Sequence, residues 1–131
     1  MLNRREFVWG AATSVGAMTV MSSEVVTGAQ EPTMSLNVLY PNHEGARFDT
    51  GYYRSTHIPL ATKVMKASSV MLIEGVPNGT AAAPYAMIAH FRFSSSEALK
   101  AALANPAMAE VRADVPKFTD IQPTVMLGKS L

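Results

Sequence analysis

Polar and apolar positions alternate along residues 35–40. Leu36, Val38 and Tyr40 fall on one side, Asn37 and Leu39 on the other, and Pro41-Asn42 ends the run. That is the period of a short β-strand with a turn behind it. A polar loop follows, and Phe48-Asp49 predicts a helix start, with Asp49 as N-cap and Phe48 stapled to Tyr53. Tyr53, His57, Leu60, Ala61 and Val64 then recur at helical spacing and mark one face of a helix. Pro59 lacks an amide donor and disfavours α geometry at the residue before it, so a kink or break is expected at His57-Ile58-Pro59. Such a break would free carbonyls around His57 and favour its protonated form.

Residues 69–76 read as a second strand, and residues 77–84 as a loop holding Asn78-Gly79 and three alanines. Residues 85–93 carry the strongest strand pattern, followed by Ser94 and Glu97 at capping-box spacing. Ala98, Leu99, Ala102 and Leu103 give the next helix its apolar face. Asn105-Pro106 stops it and opens a short helix with Met108, Val111 and Val115. Residues 120–127 form the last strand, where Pro123 implies an edge position or a bulge. The order β-α-β-β-α-β predicts an α+β fold of ferredoxin-like βαββαβ plan, a four-stranded antiparallel sheet with helices on one face.

Both faces of that sheet are apolar. The third strand shows Tyr85, Met87, Ala89, Phe91 and Phe93 on one side and Ala86, Ile88, His90 and Arg92 on the other; the second is apolar on both sides as well. A solvated antiparallel face would be polar. Two helices cover one face, so a second copy of the chain is the cheapest cover for the other. A homodimer is expected, with a ligand cavity between the sheets or under the helices.

Residues 1–29 differ from the rest. Arg4-Arg5 and Phe7 precede a soft apolar stretch, and Thr27-Gly28-Ala29 offers small residues before Gln30. This is the anatomy of an export signal, and the paired arginines resemble the twin-arginine type. Cleavage after Ala29 would leave residues 30–131 as the mature domain, periplasmic or secreted, with no membrane segment.

Composition narrows the chemistry. Hydrophobic residues make up 48% of the 131, charged residues 16%, and the net charge is +1, which suits a folded core and no nucleic-acid footprint. The chain has no cysteine, which removes disulfides, thiolate nucleophiles and cysteine-held metals. His43, His57 and His90 lie too far apart in sequence for a metal motif, and no glycine-rich nucleotide cradle or G-x-S-x-G is present. No cofactor is evident; haem or flavin stays open, since one histidine suffices as an axial haem ligand.

His57 is the first candidate catalytic group. It shares a helix face with Tyr53 at the expected break and titrates near neutrality; the competing role is a helix C-terminal cap. His90 and Arg92 sit on an otherwise apolar strand face. There they would be costly unless paired or facing a wet pocket, so they are candidates to shape the polar end of a site, or to bond across an interface. Tyr53 and Tyr40 offer hydroxyls to a ligand or are core aromatics. Asp120, before the last strand, can orient a histidine or serve a turn. Tyr52 lies off the stripe and ranks lower.

Several stretches in order resemble the EthD family, named for degradation of a branched fuel ether. They are Val38 to Asn42, Phe48-Asp49 with Tyr52-Tyr53, His57-Ile58-Pro59-Leu60, His90-Phe91-Arg92-Phe93, and Val115-Pro116-Lys117 running to Pro123. The resemblance spans residues 36–128 and implies a dimeric α/β barrel. It also implies an oxidoreductase or reductase label and an accessory role to monooxygenase pathways acting on a small hydrophobic organic compound. The alternative is a non-catalytic carrier dimer for such a compound.

Overall fold

The computed structural model describes residues 32–131, so the expected export signal lies outside the described residues. Strand β1 (Met34–Pro41) is followed by a helix in three parts. A short α1 (Thr50–Tyr52) runs into a π-helical segment (Tyr53–His57) and then α2 (Ile58–Met65). Strands β2 (Ser69–Glu74) and β3 (Tyr85–Phe93) precede α3 (Ser96–Ala104) and α4 (Met108–Asp114). A 3₁₀ turn (Val115–Lys117) and strand β4 (Thr124–Lys129) complete the domain. The sheet is antiparallel in the order β2-β3-β1-β4, the α+β ferredoxin-like fold expected.

Alternation sets which side chains meet the helices. Leu36 and Tyr40 of β1 and Met87, Ala89, Phe91 and Phe93 of β3 are buried against Ala61, Met65, Leu99 and Ala102 of the helices. The opposite sheet face carries Asn37, Ile88, His90, Met71, Ile73 and Met126, and no helix among the described residues covers it. Met71 is 57% exposed, Ile73 47% and Met126 56%. The predicted two-sided apolar sheet is therefore present, with one side bare among the described residues.

Local details correct three expectations. The helix does not break at Pro59. It widens into the π segment, where the Ile58 amide bonds the Tyr53 carbonyl five residues back, and α2 continues with Pro59 in its first turn, where a missing amide costs little. The cap of α3 is Ser95, whose hydroxyl accepts from the Ala98 amide at 3.1 Å, and not Ser94. Pro123 precedes β4 and lies outside it, although β4 does occupy a sheet edge. The Asp49 cap is present: its carboxylate accepts from the Tyr52 amide at 3.1 Å, and the Phe48 and Tyr53 rings meet at 5.0 Å.

Candidate functional site

The helices and the inner sheet face enclose a cavity of about 610 Å³. Leu36, Ala61, Met65, Ala89 and Phe91 make its apolar interior, and Arg112, Asp120 and Gln122 are exposed members of its wall. A space of this size, mostly apolar with few polar groups, is the usual form of a small-molecule site.

His57 lines this cavity and is only 4% exposed. The π segment carries both Tyr53 and His57 inward, and their rings stack with centroids 5.6 Å apart. Phe118 closes on the imidazole at 4.5 Å. The His57 side chain does not cap a helix. Its Nδ1 lies 2.9 Å from Oδ2 of Asp114, a residue of α4 buried like the histidine itself. The other carboxylate oxygen accepts from the Tyr52 hydroxyl at 2.8 Å and lies 3.7 Å from Lys117 Nζ.

Two titrations follow from this packing. Burial holds the His57 imidazole below the ordinary histidine range, against the opposing pull of Asp114. The expectation of a protonated His57 is therefore reversed: the ring bonds Asp114 rather than a backbone carbonyl, and the apolar surroundings disfavour the cation. Burial pushes the Asp114 carboxyl up, but hydrogen bonds from His57 and Tyr52 and the Lys117 charge pull it down further, so it stays ionised. A neutral imidazole beside an ionised carboxylate donates Nδ1–H to it. That leaves Nε2, which has no hydrogen bond among the described residues, as a proton acceptor for the cavity.

Tyr40 and Tyr53 also line the cavity, and burial raises both phenols, so they remain protonated. The Tyr53 hydroxyl is buried beside the Tyr40 phenol and makes no hydrogen bond of good geometry among the described residues. An unsatisfied buried hydroxyl costs about 1–3 kcal/mol, a cost a bound oxygen could relieve.

The other candidate residues separate. Asp120 is in the cavity wall, where its carboxylate accepts from the Arg47 amide at 2.9 Å; that bond holds its pKa below the usual range. His90 and Arg92 are on the bare sheet face, so the expectation that they form the polar end of the His57 site is corrected. The period of two places them opposite Ala89 and Phe91, which face the cavity. His90 Nδ1 instead meets Asn37 Oδ1 at 2.6 Å, and Asn37 Nδ2 donates to Ser35 Oγ and the Met126 carbonyl.

Sequence reasoning missed Asp114 and undervalued Tyr52. One signal pointed to Asp114: an acid in the last turn of a helix opposes the helix dipole and sits next to the apolar stripe of Met108 and Val111, so it needs a partner. Arg112 was also missed. Its guanidinium makes no salt bridge among the described residues, although it lines the cavity.

A ferredoxin-like α+β domain with a ligand-sized cavity and a buried histidine–aspartate pair is thus defined. The EthD domain model matches residues 43–122, and the chain belongs to that family. An EthD-like protein from Ralstonia eutropha JMP134 is 27% identical, with 75% of this chain and 91% of that one aligned at a TM-score of 0.69. An ethyl tert-butyl ether degradation (EthD) family protein from Bacillus halodurans C-125 is 20% identical, with 76% and 99% aligned and a TM-score of 0.61. A hypothetical Arabidopsis thaliana protein solved in solution shares the fold at 16% identity, 78% and 91% coverage, and a TM-score of 0.56. No curated protein shows significant similarity to the chain.

Proposed function

We propose that the domain is an enzyme that removes a proton from a small, largely apolar organic molecule held in the cavity, with His57 as general base. One observation carries this reading. Nδ1 of His57 is committed to an ionised Asp114, and the remaining nitrogen is an acceptor with no hydrogen-bond partner among the described residues, in a mostly apolar space. The base takes a C–H or O–H proton, and the electron pair stays on the substrate as an enolate or phenolate. Tyr53 and Tyr40 are protonated donors in the same cavity that can accept the developing oxyanion as a hydrogen-bond partner. Arg112 suits a substrate whose outer end is anionic. The oxidoreductase role that the family resemblance implies fits the same step: deprotonation produces the electron-rich anion that a separate oxidant would consume.

We further propose that a second copy of the chain covers the bare sheet face, and that residues 1–29 direct the domain out of the cytoplasm. The first is supported by the exposed Met71, Ile73 and Met126, the second by Arg4-Arg5 and the small residues before Gln30.

The test is proton exchange. Small ketones, phenols and aryl acids are incubated with the protein in deuterated water, and label at the acidic position is read by mass spectrometry. His57→Ala should lower exchange by about 10²- to 10⁴-fold, the usual contribution of a positioned base, while ligand affinity holds. A wild-type protein that binds such ligands in the cavity but exchanges none of their protons is a carrier, and the enzyme reading falls.

A further inference from the structure

The His57–Asp114 pair has a third member that does not touch the cavity. We propose that Tyr52 is a positioning residue that fixes the tautomer of His57 by holding the Asp114 carboxylate in place. This rests on the reading of His57 as the cavity base.

An ionised carboxylate only accepts, so Tyr52 must be the donor in the 2.8 Å contact to Oδ1. Tyr52 is itself held at both ends. Its amide donates to the Asp49 cap, and its ring stacks on Phe118 with centroids 6.4 Å apart and planes 21° apart. The hydroxyl is thus delivered to one oxygen from a fixed direction. With Oδ1 occupied, Oδ2 is the oxygen presented to His57, at 2.9 Å. A carboxylate free to turn about its Cβ–Cγ bond would present no steady acceptor to Nδ1. The imidazole could then place its proton on Nε2, the tautomer that free histidine favours. That form has no base to offer the cavity. Tyr52 therefore acts on the reacting nitrogen through two intervening groups. Lys117 is a weaker candidate for this role, since its ammonium is 3.7 Å from Oδ1 and its side chain is 66% exposed.

The experiment uses the full chain labelled with ¹⁵N-histidine. Long-range proton–nitrogen correlations distinguish a protonated from an unprotonated ring nitrogen. In the wild type at neutral pH, His57 should show Nδ1 protonated and Nε2 bare. Tyr52→Phe keeps the ring and its stacking on Phe118 and removes only the hydroxyl. It should move the population toward Nε2–H and lower proton exchange about 10- to 100-fold, the range seen when a partner orienting a metal-bound histidine is removed. The affinity for a cavity ligand should not change, because Tyr52 is not part of the cavity wall. Asp114→Asn should move the tautomer the same way and serves as the second variant. An unchanged His57 tautomer in Tyr52→Phe overturns the proposal. Failure of the base reading looks different: the wild type exchanges no ligand proton, whatever its tautomer.

Discussion

A double-mutant cycle between His57 and Asp114 measures the pair directly. The two side chains are 5% and 7% exposed, and Nδ1 to Oδ2 is 2.9 Å. A hydrogen bond to a charged group contributes about 1.5–3 kcal/mol, and removing one partner leaves the other buried and unpaired. Asp114→Ala strands the His57 Nδ1–H and the Tyr52 hydroxyl; His57→Ala strands less, since Asp114 keeps Tyr52 and Lys117. Asp114→Ala should therefore be the more destabilising, and the double variant should lose less than the sum by about 1.5–3 kcal/mol. A domain this small has roughly 5–15 kcal/mol in all, so the effect is within reach of urea unfolding with an unchanged m-value. The pH dependence has a definite sign. Burial lowers the folded His57 pKa, so below about 6.5 the unfolded chain binds a proton that the folded chain refuses. The wild type should lose stability as pH falls from that value through the folded pKa. His57→Ala should lack that slope. Losses that add to within about 0.5 kcal/mol, together with parallel pH profiles, would refute the coupling.

Three further outcomes test the packing. Ser95→Ala should cost about 1 kcal/mol in urea unfolding and Ser94→Ala almost nothing, because only Ser95 accepts the Ala98 amide. Gly75→Ala should fail to give soluble folded protein, or melt far below the wild type, because its Cβ would run into the Tyr85 carbonyl oxygen, a backbone atom that cannot step aside. Met71→Lys with Ile73→Lys should turn a dimer into a folded monomer in sedimentation, since both side chains stand on the bare sheet face; a dimer that persists places the interface elsewhere.

The fold was legible because the strands advertise themselves on both faces. Residues 85–93 match β3 from end to end, and Asp49 and Phe48 mark the helix start correctly. The site was half legible. His57, Tyr53 and Tyr40 carry local signals, and all three line the cavity. Asp114 is 57 residues from His57 in the chain, and only tertiary packing joins them. A strand apolar on both faces cannot reveal that His90 and Arg92 face away from the cavity until the helices are known to choose the other side.

The helix face was misread for a particular reason. An uninterrupted α period predicts inward residues at Leu60, Ala61 and Val64, yet the fully buried ones are Ile58, Ala61 and Met65, with Leu60 and Val64 only half-buried. The inward stripe has slipped by about one residue, which is what one extra residue in a turn does. Pro59 explains where the slip falls. In a continuous α-helix its ring would clash with the Ser55 carbonyl, and widening the turn relieves that clash. The same widening brings Ile58 inward beside Tyr53 and His57, so that all three line the cavity, and the π segment is the device that sets the histidine there. Deleting Thr56, an exposed residue of the segment, tests this. Restoring an α period should keep the helix by circular dichroism but rotate His57 away from Asp114, abolishing the Nδ1-protonated tautomer. If that signature survives the deletion, the π turn is incidental to the site.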